Sequence, residues 1–259
     1  MISKNNKYPS VKKVTDEERI GIVRDIFSTI TGSYDFLNHF LSLGRDIAWR
    51  KFAAKKMVFP RSGKFLDIAC GTGDLSIIAC AAHQDMSVTG ADFVHPMVRL
   101  ANAKVRKKRL SGRIKFIQAN ALNLPFADNT FNVTAMAFGI RNIPQKDRAM
   151  KEMLRVTVPG GQIMILEMTF IQNRLFKAAY YLYLNFLLPL LARLFSKNAA
   201  AYHYLADSIM NFPKPEAFAV FMEKTGVTDV QIFPRTFGIT CLYLGEKPAQ
   251  NNRATQNHD

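Results

Sequence analysis

The spacing of apolar residues changes character along this chain, and the changes divide it. Ile20, Val23, Ile26, Phe27 and Ile30 recur at three- and four-residue intervals, the period of a helix with one buried face. Thr15 and Glu18 precede them in the order of a capping box, which predicts a helix start at Asp16, and Gly32 ends it. Apolar sets around Tyr34 to Leu41 and Ile47 to Phe52, parted by Gly44, predict two further helices that finish before Pro60. From Phe65 the pattern switches to short apolar runs of the kind a parallel strand buries on both faces. Such runs include Phe65-Leu66 with Ile68-Ala69, then Ser87 to Asp92, Lys115 to Ala119, Phe131 to Phe138 and Gln162 to Met168. Helical segments lie between them: one from Leu75, one from Pro96 to Arg109 with proline at its start, and one from Gln145 to Val156. Pro159-Gly160-Gly161 reads as the turn into the last of these strands.

Strand and helix alternate through this middle region. The expected class is therefore α/β, a Rossmann-like, doubly wound and mostly parallel sheet with helices on both faces. Beyond it the pattern breaks. From Leu175 to Leu205 the chain reads as helical and unusually apolar, with Asn185, Pro189 and Arg193 as interruptions. An uninterrupted run of about 20 apolar residues is what a membrane span needs, so a cap is the better reading. A helix from Pro215 to Thr225 and strands at Val227–Phe233 and Ile239–Gly245 follow. One domain over 15–247 is expected, with N-terminal helices over 15–60 and an inserted helical cap over 173–212. Residues 1–14 read as a disordered basic tail and 248–259 as a disordered polar one.

Composition adds two constraints. Cys70, Cys80 and Cys241 are too few and too scattered for a disulfide framework or a metal cluster, which favours a reducing compartment; no metal site is expected. No apolar stretch follows Met1, so no signal peptide is visible and a cytoplasmic location is expected. The formal charge of +15 suggests an anionic surface as partner, either nucleic acid or acidic lipid. The dense run Lys104 to Arg109 reads first as a solvated helix end, where cations complement the dipole. No aromatic residues interleave with it, which weakens a single-strand nucleic-acid reading.

The candidate chemistry begins at Leu66 to Asp74. Gly71 and Gly73 allow a tight turn between a strand and a helix, the usual ligand platform of open α/β sheets. The loop lacks the Gly-Lys-Ser/Thr ending of a phosphate loop and the third glycine of a dinucleotide fingerprint. Asp74 at the helix start would repel pyrophosphate and suits a cationic or zwitterionic ligand. Asp92 ends the next strand, about 20 residues on, where an acid binds ribose hydroxyls. A nucleoside with a positive centre and no phosphates describes S-adenosylmethionine. Alone, two glycines and an acid would equally be a capped structural turn; the order of strand, loop, acid, helix, strand and acid favours the cofactor.

Several runs then carry a resemblance. They are Tyr34-Asp35-Phe36-Leu37-Asn38, Leu41-Ser42-Leu43-Gly44, Ala137-Phe138-Gly139-Ile140-Arg141-Asn142 and Tyr204-Leu205-Ala206-Asp207-Ser208-Ile209. With the glycine loop they make the chain resemble the class I S-adenosylmethionine methyltransferases. More narrowly, it resembles the ubiquinone/menaquinone biosynthesis C-methyltransferase family, from about Ile20 to Lys247. The resemblance implies cofactor contacts at Thr72 in the loop, Asp92 on the ribose, and Asn120 and Ala121 near the adenine. It departs at Ala137, where the family often has Ser, leaving a backbone contact in place of a hydroxyl. It departs again at Cys70, where Gly is common and Cys is tolerated only without positive φ. Thr236-Phe237-Gly238-Ile239 replaces a more glycine-rich stretch.

The implied reaction methylates a ring carbon of a polyprenylated hydroquinone. Such a site must accept the ring hydroxyl's proton and stabilise the phenolate. Arg141 is assigned phenolate stabilisation or orientation of a water, with a structural ion pair as the plainer alternative, and Asn142 a hold on the ring oxygen. Tyr34, Asp35, Asn38, Tyr204 and Asp207 are cap or substrate candidates, each equally readable as packing or capping residues. His203, a lone histidine among aromatics, is more often structural than a base. The apolar cap suits a prenyl tail, and the basic surface suits peripheral contact with an anionic membrane at its inner face. Demethylmenaquinol is the preferred acceptor. The alternatives are the methoxybenzoquinol of ubiquinone biosynthesis, another apolar acceptor, and a nucleic-acid-binding protein on the same scaffold. Under the preferred reading nucleic acid is not an expected partner, and a homodimer is left open.

Overall fold

A computed structural model of the chain describes residues 7–171, 174–190, 198 and 200–249. Three helices open it: α1 (Asp16–Ile30), α2 (Tyr34–Leu41) and α3 (Arg45–Lys56). The capping box is formed, with the Thr15 hydroxyl accepting from the Glu18 N–H and the Glu18 carboxylate accepting from the Thr15 N–H. Strands and helices then alternate: β1 (Lys64–Ile68), α4 (Asp74–Ala82), β2 (Ser87–Asp92), α5 (His95–Lys107), β3 (Ile114–Gln118), β4 (Phe131–Ala137), α6 (Lys146–Val156) and β5 (Thr157–Met168). The cap comprises α7 (Arg174–Leu182), a π-helical turn over Tyr183–Leu187 and α8 (Ala200–Met210). Helix α9 (Pro215–Lys224) leads to β6 (Thr228–Arg235) and β7 (Thr240–Glu246).

The seven strands form one sheet in the order β3-β2-β1-β4-β5-β7-β6. Strands β1 to β5 pair in parallel, and β7 runs antiparallel to both β5 and β6. The order reverses between β1 and β4, so their carboxyl ends open a crevice, the usual ligand position in such sheets. Residues alternate sides along each strand. Phe65, Val133 and Met164 join one apolar core with α3, α4 and α5, while Leu66, Met136 and Ile165 join a second with α6 and α9.

Two expectations change. Strand β5 begins at Thr157, and Pro159-Gly160-Gly161 is a bulge inside it, not a turn before it. The Gly160 N–H donates to the Lys247 carbonyl, and a Cβ on Gly161 would lie 2.8 Å from the Asn132 carbonyl oxygen. The bulge is thus stitched to its neighbours on both sides. The N-terminal tail is also packed from Lys7 onward. Tyr8 and Val11 are buried against α1 and α8, and Asp207 accepts from the Ser10 hydroxyl and the Val11 N–H. Apolar side chains at these two positions supply the burial that a loose tail lacks. Residues 1–6, the cap segment 191–197 and the tail 250–259 lie outside the described residues.

Candidate active site

The glycine loop is a run of left-handed backbone. Ala69 (φ 52°), Gly71 (φ 54°) and Gly73 (φ 82°) adopt it and Cys70 does not, so the cysteine fits without strain. Gly73 is fixed by space as well, since a Cβ there would lie 2.4 Å from the Phe116 ring. Asp92 ties the loop to β2. Its Oδ2 accepts from the Gly71 N–H and its Oδ1 from the Val94 N–H, both at 2.8 Å. Burial pushes the Asp92 pKa up from the usual carboxylate range, against the pull of these amides. Below the loop, Asp67 Oδ2 accepts from the Ser76 hydroxyl (2.6 Å) and N–H (3.0 Å). Burial is the dominant influence there and lifts the Asp67 carboxyl to about 7.

Gly71, Asp92, Asn120, Ala121, Ala137 and Asn142 line one cavity of about 920 Å³, mouth included. Helix α1 closes its far side through Ile20, Val23 and Phe27. The side chain of Asn142 is buried and its carbonyl oxygen has no hydrogen-bond partner among the described residues. The cavity therefore offers a carboxylate for two hydroxyls, an unanswered amide oxygen and apolar walls at Val94, Met97 and Leu122. No cationic side chain lines it among the described residues. This donor set fits S-adenosylmethionine: ribose on Asp92, a flat base between apolar walls, and a positive centre that meets no like charge.

Thr72 and Gly73 do not line this cavity. Thr72 is buried and its hydroxyl donates to Asp35 Oδ1 at 2.5 Å. Lys104 reaches in from α5 and binds Asp35 Oδ2 (2.7 Å), Asp74 Oδ1 (2.6 Å) and Thr72 Oγ1 (3.2 Å). Asp74 is thus answered by a lysine within the chain and not by a ligand. Burial alone would raise its pKa; Arg50 and Lys104 hold it below the usual carboxylate range. Lys104 is correspondingly not part of a solvated helix end. With Asp35 it clamps the glycine loop to the N-terminal helices.

A second cavity of about 1110 Å³ adjoins the first, and both are lined by Tyr34 and Phe138. Its wall is aromatic and apolar: Trp49, Tyr180, Tyr183, Leu188, Leu205 and Ile239. Asn38, Ser42, Asp46, Arg45, Arg50 and Arg141 add polar groups. The short helix Ile140–Asn142 splits its two candidate residues, sending Asn142 to the first cavity and Arg141 to the second. Arg141 Nη1 donates to Glu167 Oε1 (2.5 Å) and to the Phe138 carbonyl (2.8 Å), while its Nε has no partner among the described residues. Arg141 thus makes the buried ion pair of the plainer alternative and also lines the second cavity. Arg50 donates to Asp46 Oδ2 at 2.7 Å and lies 4.9 Å from the Phe138 ring. Burial raises the pKa of the wall tyrosines Tyr34, Tyr180 and Tyr183, the last to about 12. Thr236 (φ 47°) and Phe237 (φ 57°) are left-handed where the resembling family is richer in glycine, and Thr236 Oγ1 accepts from the Trp49 indole N–H at 2.9 Å.

Of the remaining candidates, Tyr204 and Asp207 are on α8 and line neither cavity. Asp207 holds the N-terminal strap instead, and Tyr204 packs in the core around Ile26 and Leu37. Asp46 and Glu167 are not marked out in the sequence, Arg50 enters only with the run Trp49-Arg50-Lys51, and Lys104 only with the basic run to Arg109. The Asp46–Arg50 spacing of four within a helix was a usable signal. So was Glu167 as an acid ending an apolar strand.

A model of the ubiE/COQ5 methyltransferase family matches residues 12–247. Among curated relatives, the "Ubiquinone/menaquinone biosynthesis C-methyltransferase UbiE" of Geotalea daltonii is 42% identical over 87% of this chain and 96% of its own length. The "Demethylmenaquinone methyltransferase" of Bacillus mycoides is 37% identical over 90% of this chain and 97% of its own. Among solved structures, phosphoethanolamine N-methyltransferase 2 of Haemonchus contortus with S-adenosyl-L-methionine superposes with a TM-score of 0.58 at 16% identity, covering 76% of this chain and 52% of that one. A SAM-dependent methyltransferase from Aquifex aeolicus gives 0.52 at 17% identity, over 76% of this chain and 88% of that one. At such identities the likeness is one of fold.

Proposed function

The chain belongs to the ubiE/COQ5 methyltransferase family, and from that premise we propose that it methylates a ring carbon of a polyprenylated hydroquinone in menaquinone or ubiquinone biosynthesis, with demethylmenaquinol as the acceptor. The observation that carries this reading is the meeting of two unlike cavities at Tyr34 and Phe138. One suits a nucleoside; the other suits a flat, greasy molecule with a polar end. S-adenosylmethionine supplies an electrophilic methyl group bound to a sulfonium.

The residues of this chain have separate tasks. Asp92 holds the ribose hydroxyls, Asn120 and Ala121 border the base, and the Asn142 carbonyl oxygen is free to accept from the bound donor. Tyr34 and Phe138 form the shared wall across which the methyl must pass, and they exclude water from it. A neutral phenol ring is a weak carbon nucleophile, so charge on the ring oxygen has to be favoured. Arg141 and Arg50 face that cavity as permanent cations. Glu167 offsets part of the Arg141 charge but fixes its direction, which leaves the unpartnered Nε–H as its free donor. The prenyl tail runs along Tyr180, Tyr183 and Leu188 of the cap.

Among the described residues no helix is long and apolar enough to cross a membrane. Large apolar side chains are nevertheless exposed on α2, the turn after it and the cap, among them Phe36, Leu43, Leu182, Phe186 and Leu190. Leu43 is 87% exposed and lines the acceptor cavity. With a net charge of +15 on the chain, this rim suits the inner face of an anionic bilayer, from which a prenylated substrate would enter. Co-sedimentation with anionic but not neutral vesicles is expected; a dimer in solution with no vesicle binding would assign the face to a second copy.

The central test is transfer of labelled methyl from S-adenosylmethionine to reduced demethylmenaquinol by the purified chain, analysed by mass spectrometry. The oxidised quinone should be inert, because it has no hydroxyl to ionise. Preferred turnover of the methoxybenzoquinol would move the acceptor to ubiquinone biosynthesis, and methylation of neither would reject the reading.

A further inference from the structure

Ionising the ring hydroxyl requires a group to take its proton. The titratable side chains lining the acceptor cavity are Tyr34, Arg45, Asp46, Arg50, Arg141, Tyr180 and Tyr183. The arginines are permanent cations, and burial keeps the tyrosines protonated. Asp46 is the one carboxylate in that wall among the described residues. It is 4% exposed, at the start of α3, and has partners on both oxygens. Oδ1 accepts from the Ser42 hydroxyl at 2.8 Å, and Oδ2 faces Arg50 Nη1 at 2.7 Å and His39 Nδ1 at 2.8 Å. His39 is on the preceding helix, does not line the cavity, and leaves about a third of its side chain in solvent (34%).

The geometry points to Asp46 as the proton acceptor of the methyl transfer and to His39 as the outlet that carries the proton from Asp46 to water. This rests on the quinol reading above. The ring O–H bond breaks toward Asp46, leaving its electron pair on oxygen. That pair, delivered through the ring, forms the bond between the ring carbon and the methyl group while the methyl–sulfur bond of the sulfonium breaks, its electron pair staying on sulfur as the neutral thioether leaves. The hydrogen displaced from that carbon returns to the oxygen as the ring becomes aromatic again. One proton net remains on Asp46, and His39 Nδ1, at 2.8 Å, is placed to take it.

The surroundings suit a transient imidazolium. His39 Nε2 faces Asp74 Oδ2 at 3.9 Å, so the ring stands between two carboxylates. Arg50 opposes it from α3, and Lys104 from α5 through its pairing with Asp74 and Asp35. These opposing charges favour release once the proton arrives. The same three side chains, His39, Asp46 and Asp74, come close enough to suggest a cation site. Arg50 and Lys104 already occupy both carboxylates, so proton transfer is the better use of the cluster.

The test uses the full chain, S-adenosylmethionine and reduced demethylmenaquinol, with turnover followed with and without added imidazole and cofactor affinity measured by calorimetry. Asp46→Asn should lower kcat by about 100-fold or more, the scale of general base catalysis, with cofactor affinity within threefold of the parent. His39→Gln should lower kcat about tenfold with KM little changed, and added imidazole should restore part of the loss. An Asp46→Asn enzyme within fivefold of the parent kcat overturns the assignment. Should Asp46→Asn not fold, His39→Gln decides: a tenfold loss that imidazole partly restores supports the relay, and a kcat equal to the parent's overturns it. A parent enzyme inactive on the quinol would instead sink the functional reading, so the two failures are separable.

Discussion

The two adjoining cavities treat acids in opposite ways. On the cofactor side, buried carboxylates are answered by neutral donors, backbone amides and one hydroxyl: Asp92 by the Gly71 and Val94 N–H groups, Asp67 by the Ser76 N–H and hydroxyl. On the acceptor side they are answered by arginines: Glu167 by Arg141, Asp46 by Arg50. An amide offers a dipole whose place is set by the adjoining chain, and it leaves the carboxylate its full charge to spend on ribose hydroxyls. An arginine offers a whole charge, and its place depends on what packs around a long side chain. The cofactor side is accordingly stiff and local. The acceptor side is a balance of ions built from α2, α3, β5 and the turn after β4, and it can follow a reaction in which charge appears.

The largest expected break in that contrast is Glu167→Ala. It strips Arg141 of a partner that is itself fully buried, and an uncompensated buried charge costs about 3–5 kcal/mol. Thermal unfolding should show that loss, and kcat should fall with it because Arg141 is no longer aimed. Cofactor affinity, measured on the folded fraction, should hardly move. An equal loss of cofactor affinity would show that the two cavities are not independent.

Asp92→Ala is the mirror experiment. Hydrogen bonds to a charged group contribute about 1.5–3 kcal/mol, so calorimetry should show cofactor affinity falling by about 10- to 100-fold. The acceptor cavity should stay intact by the same criterion used for Glu167. The raised pKa of Asp92 adds a sign: its ionised form, the one proposed to bind ribose, is lost at a higher pH than for an ordinary carboxylate as acid is added. Unchanged affinity would remove Asp92 from the ribose.

These contrasts explain what could be read in advance. The strands around the loop, the capping box and the place of Asp92 at the end of β2 follow from residues near one another in sequence, and these were legible. Asp74 was legible as an acid but not as one already paired, because Lys104 is 30 residues away and reaches it only once α5 packs beside α4. The same distance effect turned Thr72 inward to Asp35, 37 residues before it. Tyr204 and Asp207 belong to a specific-looking run, yet their partners lie in α1 and in the strap around Ser10 and Val11, which composition marked as a tail. Arg141 was legible in position, and its Glu167 partner was not, since an acid inside a strand announces burial without naming the cation.

Lys104→Met probes the clamp between the halves and should have a smaller effect. It leaves Asp35 and Asp74 near each other without their shared cation, a loss of about 1.5 kcal/mol on the scale of charged hydrogen bonds. Both readouts should shift together, cofactor affinity and acceptor KM, because the clamp holds the glycine loop against α2. A shift in stability alone would confine Lys104 to a structural role.

Asp67 gives the smallest and most exacting test of the cofactor half. Burial lifts its folded pKa to about 7 from an ordinary value of 3.8. Between those values the folded chain binds a proton that the unfolded chain has released, so stability falls as pH rises and goes on falling until the folded group ionises. Asp67→Asn cannot titrate. Relative to it, the parent should lose about 1 kcal/mol of unfolding free energy between pH 6 and pH 8, a window that straddles the folded pKa. Denaturant unfolding at both pH values measures this directly. A parent whose stability relative to Asp67→Asn does not change over the same interval would mean that the Ser76 N–H and hydroxyl, with the Arg50 charge, outweigh burial and hold this buried acid ionised at the base of the loop.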